Sequence, residues 1–172
     1  MELIDGITHL RTPVADDAPA IATAVQESLD LLRPWMPWAT DDYDTASAKE
    51  WIDGVFDASE HRFLITEHGR VLGACGLNRI DPLNRTANLG YWLHGDAVGR
   101  GHATRATRLV AGHGLALDEI ELIQIEMSTE NEPSRRVAER AGAAYEGVLR
   151  SRLLLQGRRH DVHVFTFTGG EV

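Results

Sequence analysis

One stretch limits the folding choices of this chain more than any other: Gly99, Arg100, Gly101, His102, Ala103 and Thr104. It follows an extended run at residues 88–93 and opens a long amphipathic helical pattern. Two glycines one residue apart let backbone N–H groups converge where a Cβ would stand in the way. The helix start behind them adds unpaired N–H groups and the positive end of a dipole. A strand, a bend and a helix in this order make a seat for a phosphate group.

Two common phosphate-binding loops fail on the local residues. A dinucleotide fold calls for a third glycine or alanine where Thr104 stands, inside an early strand–helix–strand unit. A nucleoside triphosphate loop calls for Lys and then Ser or Thr after its second glycine, where this chain has His102 and Ala103. A glycine-rich connection holding no ligand stays open on this segment alone.

The flanking patterns predict an α+β layout. Residues 3–11 read as a first strand. Asp16 or Asp17 can cap a helix that puts Ala18, Ile21, Ala22, Val25 and Leu29 on one face. Pro34 and Pro37 end helical continuation in the segment 32–38. A second helix is expected over residues 45–59, with Ser47 and Glu50 as its capping box. Strands follow at 62–67 and 71–79 around a tight turn at His68 and Gly69, then at 86–93. A helix over 101–118 has Ala103, Ala106, Val110 and Leu117 inward, and Gly112 and Gly114 each weaken it by about 1 kcal/mol. A strand at 120–127 directs Ile123, Ile125 and Met127 to one side. Asn131 caps a helix over 132–141 that Gly142 ends. A hairpin of 144–155 and 160–168 closes the chain. The order is strand, two helices, three strands, helix, strand, helix, two strands, unlike the strict alternation of a doubly wound sheet.

At 172 residues, with no linker or repeat visible, residues 1–172 are expected to form one domain. A formal net charge of −9 argues against non-specific nucleic-acid binding. No run of about 18 apolar residues suggests a membrane span, and the acidic start is unlike a signal peptide. Cys75 is the only cysteine, so no intrachain disulfide forms, and a cytoplasmic location is expected. The eight histidines match no common ligand spacing, so no metal site is expected.

Six segments together carry a resemblance: residues 32–38, 90–94, 99–104, 131–142, 145–150 and 157–161. In this order and spacing the chain resembles the GNAT superfamily of acetyl-CoA-dependent N-acetyltransferases, and within it the RimJ/RimL type that acts on ribosomal proteins. The resemblance implies the GNAT fold, a mixed and mostly antiparallel sheet with a V-shaped splay and flanking helices. It implies acetyl-CoA as co-substrate, with its pyrophosphate on the backbone of Gly99, Arg100, Gly101, His102 and Ala103, and Thr104 starting the supporting helix. Val98 stands where the family pattern usually opens with Gln or Arg. Pantetheine would lie where Tyr91, Trp92 and Leu93 diverge from the strand of Ile123. Asn131 would bond the cofactor arm and Ser134 would face the sulfur. The resemblance also implies pairing of two copies of the chain.

Amine attack on a thioester needs proximity, a proton acceptor, an oxyanion donor and help for the departing thiolate. A backbone N–H near Leu93 is the expected oxyanion donor, and Ser134 the thiolate-side residue. Many relatives carry a glutamate where this chain has Asn88, and some carry an acid where Leu153 stands. Glu126, His94 and His102 are the remaining base candidates, although Glu126 also fits a plain outward strand position. Trp35 and Trp38 are expected to line the acceptor side. At pH 7.5 about a quarter to a third of an α-amine is neutral, against about 0.1% of a lysine side chain. The missing carboxylates therefore fit an α-amine at a protein or peptide N-terminus. A small-amine enzyme for antibiotics or polyamines, and a catalytically silent coenzyme A-binding regulatory module, stay open as alternatives.

Overall fold

The computed structural model describes residues 1–54 and 60–169. Its elements are β1 (Glu2–Asp5), β2 (Thr8–Arg11), α1 (Ala18–Gln26), α2 (Leu29–Leu32), α3 (Thr45–Ile52), β3 (His61–Glu67), β4 (Arg70–Asp81) and β5 (Thr86–Leu93), followed by α4 (His102–Leu115), β6 (Leu122–Ser128), α5 (Glu132–Ala141), β7 (Ala144–Leu155) and β8 (Arg158–Thr168). Among the described residues they build one eight-stranded sheet in the order β1-β2-β3-β4-β5-β6-β8-β7. Every neighbouring pair is antiparallel except β5 and β6.

Strand alternation gives each face its own core. One face carries Leu10, Phe63, Leu77, Leu89, Ile123 and Phe165 against Ala106 and Val110 of α4. The other carries Leu64, Val71 and Ala74 against Ile21 and Val25 of α1 and Ala48 of α3. Gly114 lets α4 settle close to the sheet, since a Cβ there would stand 2.7 Å from side-chain carbons of both Leu77 and Ile123. The helix interior tolerates it because the close approach outweighs its propensity cost.

The single parallel pair is short. It registers Thr86 with Leu122, Ala87 with Ile123 and Asn88 with Gln124, and then β5 and β6 part. Residues 89–93 of β5 consequently have no partner on the β6 side. This is the expected V-shaped splay.

Several expected boundaries are corrected. Residues 3–11 are two strands, because Gly6 at φ 58° turns the chain back on itself as a hairpin. The first helix stops at Gln26, and Leu29 starts a separate turn of helix. Asp17 occupies the N-cap position of α1, but its carboxylate takes two bonds from Arg11, at 2.6 and 2.7 Å, and the Val14 N–H instead. The second helix is capped by Asp44, whose Oδ1 accepts the Ser47 N–H at 2.8 Å, so Ser47 and Glu50 do not form the capping box. The last five residues expected of it, 55–59, lie outside the described residues. The long helix ends at Leu115, leaving Leu117 half-buried beyond it.

Candidate active site

The splay opens into a cleft of about 320 Å³. Tyr91, Trp92 and Leu93 form one wall, and Asn131, Pro133 and Ser134 of the α5 start form the opposite one. Val98, Gly99, Gly101, Ala103 and Thr104 close one end. Gly99 and Gly101 are left-handed, at φ 76° and 84°, a conformation that costs other L residues about 1–2 kcal/mol. Gly101 is the N-cap of α4 and offers no side chain to the first-turn N–H groups, which leaves them for a ligand.

Two expected loop residues turn their side chains away from the cleft. Arg100 forks onto Glu67 of β3 at 2.8 and 2.9 Å, which ties the bend to the sheet. His102 is fully enclosed, its Nδ1 3.0 Å from Thr8 Oγ1, so only the backbone of these two residues is available to a phosphate. Burial lowers the His102 pKa, with Glu67 opposing and Arg100 and Arg105 adding. Arg136 and Arg140, not among the expected site residues, also line the cleft and supply positive charge. Their signal was present: positions 133, 136, 137 and 140 share one face of a helix.

At the start of α5, the Asn131 Oδ1 accepts the Ser134 N–H at 3.2 Å. The cap uses the carbonyl of this amide and leaves its N–H donors over. Tyr91 reaches across, its phenol oxygen 2.9 Å from Ser134 Oγ and 3.0 Å from the Ser134 carbonyl. A cleft with a glycine bend at one end, unpaired strand backbone along one wall, arginines beside it and a serine hydroxyl facing in suits a long phosphorylated thioester.

A second cavity of about 540 Å³ lies on the α1 and α3 face of the sheet. Trp38, Tyr43, Trp51 and Trp92 give it aromatic walls, and Glu50, Glu60 and Arg62 give it charge. Trp38 meets Tyr43 at 5.6 Å and the edge of Trp92 at 6.1 Å between ring centroids. Burial and then Asp44 push the Tyr43 phenol up to about 12, so it stays neutral. Glu60 and Arg62 pair at 2.8 Å, largely shielded from water, with side chains 21% and 10% exposed. Neither residue was singled out in the sequence, because their role depends on three elements converging. Met36, Tyr91 and Trp92 line both cavities.

The structure separates the two expected acceptor tryptophans. Trp38 lines the second cavity, whereas Trp35 lines the cleft beside Leu93. The base candidates are not brought to either space. Glu126 lines neither cavity and pairs with Arg79 at 3.0 Å. His94 is buried, with Nε2 2.9 Å from Glu27 Oε2 and Nδ1 accepting the Asp96 N–H. Asn88 donates its amide N–H to Asn78 Oδ1 at 2.8 Å. Among the described residues no cluster of side chains suits a metal ion, and no helix is long and apolar enough to cross a membrane.

Comparison with known proteins matches residues 8–144 to the acetyltransferase (GNAT) domain family. The ribosomal-protein-serine acetyltransferase of Escherichia coli (strain K12) is 32% identical over 103 residues, 60% of this chain and 58% of that protein. The uncharacterized N-acetyltransferase p20 of Bacillus licheniformis is 30% identical over 129 residues, 72% of each chain. Among solved structures, Mycobacterium smegmatis RimJ in complex with a coenzyme A disulfide superposes with a TM-score of 0.87 at 25% identity, covering 97% of this chain and 84% of that one.

Proposed function

Because this chain belongs to the acetyltransferase (GNAT) domain family, we propose that it moves the acetyl group of acetyl-CoA to the α-amino group of a protein or peptide N-terminus. The observation that carries this reading is the shared wall: Met36, Tyr91 and Trp92 border both the cleft and the aromatic cavity. A thioester lying in the cleft therefore presents its carbonyl to an amine arriving from the other side of the sheet. The pyrophosphate sits on the bend of Gly99 and Gly101, with Arg136 and Arg140 beside it. The Escherichia coli relative named for action on a ribosomal protein supports a protein acceptor. Such an acceptor would be met in the cytoplasm.

The neutral amine nitrogen bonds the carbonyl carbon, the oxyanion rests on a backbone N–H near Leu93, the nitrogen passes its extra proton to water, and collapse breaks the carbon–sulfur bond with the electron pair leaving on sulfur. Ser134 faces the leaving sulfur. The ammonium form of the acceptor meets Glu50 and Glu60, the carboxylates among the described lining residues. Arg62 holds Glu60 as an ion pair and keeps it a carboxylate, which makes it a poor proton acceptor. An amine already partly neutral at pH 7.5 needs no strong base, and the roughly 3.5 kcal/mol gap to lysine sets the preference. The same acidic, aromatic cavity would also admit a small polyamine.

Mass spectrometry of acetylation at pH 7.5 tests this, with a lysine-free peptide of free N-terminus beside an N-terminally blocked lysine peptide and spermidine. Faster modification of the free N-terminus is expected. A clear preference for the lysine peptide or for spermidine overturns the α-amine assignment.

A further inference from the structure

Expulsion of a thiolate is helped by a hydrogen bond that exists only once sulfur carries charge. Ser134 is placed for this, yet its hydroxyl has a competing partner. The Tyr91 phenol oxygen lies 2.9 Å from Ser134 Oγ and 3.0 Å from the Ser134 carbonyl oxygen. Tyr91 stands on β5 past the last residue paired with β6, so its ring spans the splay to the first turn of α5.

Each hydroxyl has one proton, which gives two arrangements. If the phenol donates to the Ser134 carbonyl, the serine proton goes to the phenol oxygen and is lost to the cleft. If the phenol donates to Ser134 Oγ, the serine proton is released for a ligand. We propose that Tyr91 is the positioning residue for the sulfur end of the reaction: its phenol moves its proton from the Ser134 carbonyl to Ser134 Oγ and so turns the serine hydroxyl onto the departing thiolate. This rests on the acetyl-transfer reading given above.

The step needs no full proton transfer. The electron pair of the breaking carbon–sulfur bond stays on sulfur, and Ser134 O–H donates a hydrogen bond to it. A thiolate whose parent acid ionises near about 8.5 is too weak a base to strip a serine hydroxyl, so water supplies the proton later. Successive donation from phenol to serine to sulfur polarises each bond in turn. Burial is the main reason the Tyr91 phenol ionises well above the usual phenol range, with the Ser134 bond opposing, so it keeps the proton it must donate.

The test is a double-mutant cycle on kcat, with acetyl-CoA Kd measured by calorimetry and melting curves run alongside. Ser134→Ala is expected to lower kcat about 30-fold, and Tyr91→Phe about tenfold, each with Kd within about twofold. The double variant should match Ser134→Ala, because Tyr91 acts only through Ser134. Tyr91→Leu is a second deletion of the hydroxyl should the first variant fail to fold. Unchanged kcat in the folded Tyr91 variant, a loss confined to Kd, or losses that multiply would each overturn the proposal. Full activity in Ser134→Ala would instead remove the serine from the sulfur end. Absence of turnover in the unmodified enzyme would remove the acetyl-transfer reading.

Discussion

Single residues divide by whether their role is local. Asn131 as cap and Gly142 as left-handed stop were legible in the sequence because both act within one turn of their own helix. Ser134 is different: its spacing speaks only for the first turn of a helix, and the resemblance alone singles it out for the sulfur end. Glu60 and Arg62 were not legible, since a charged pair becomes part of the aromatic cavity only after β3, α3 and β5 meet around it. Trp35 and Trp38 looked equivalent in sequence, yet one turn of chain sends them to opposite sides of a shared wall. Gly101 supplies the sharpest prediction at this scale. A valine there would have to adopt φ 84°, and its Cβ would stand 2.9 Å from Arg105 Nη1, a side chain that can move. The strain is therefore local and the fold survives, but the bend loses its shape and its N–H groups no longer converge. Calorimetry should show acetyl-CoA affinity for Gly101→Val reduced at least about tenfold, with a cooperative melt retained. Unchanged affinity would count against the phosphate seat.

Elements depend on how closely their backbones approach, which a sequence pattern records only as scattered glycines. The strands at 86–93 and the helix at 132–141 emerged at their expected limits, because period and caps agree there. The opening strand did not, because alternation continues through Gly6 and hides the turn. The splay was expected from resemblance alone, and the wall that it leaves on β5 is held by close packing against β4. Gly73 pairs with Leu93 at φ 151°, and a Cβ on it would stand 2.1 Å from the Trp92 carbonyl oxygen. That contact is with backbone, so no rotamer change relieves it. Gly73→Ala should therefore destabilise the protein by about 2–3 kcal/mol in urea denaturation and displace the wall that both cavities share. Acetyl-CoA binding should weaken with it. A variant of normal stability and affinity would show that the strand can shift freely, and with it the wall.

At the scale of the whole molecule, the fold's dependence on pH follows from groups it refuses to charge. His102 and His113 both titrate below the ordinary imidazole range, His102 chiefly through burial, His113 through burial and then the nearness of His61, whose Nδ1 is 3.2 Å from its Nε2. In the unfolded chain each takes up a proton near about pH 6.5. Between that pH and the lower folded pKa, the unfolded state binds more protons than the native one, so stability drops as pH falls. Asp17 extends the loss to stronger acid. The Arg11 hydrogen bond holds its carboxyl below the usual range, so its contribution is present above about pH 4 and disappears as pH falls through the folded pKa. Two stages are expected in urea stability: a decline on going from pH 7.5 to 5, then a second below 4. His102→Asn keeps a polar partner beside Thr8 but removes a proton site, so whatever its overall stability, its slope between pH 6.5 and 5 should be shallower. A slope equal to that of the unmodified protein would mean that the enclosed imidazole takes up a proton in the native state as readily as in the unfolded chain. Below about pH 6.5 the Thr8 contact beneath the glycine bend would then hold an imidazolium, and the bend would carry a positive charge of its own.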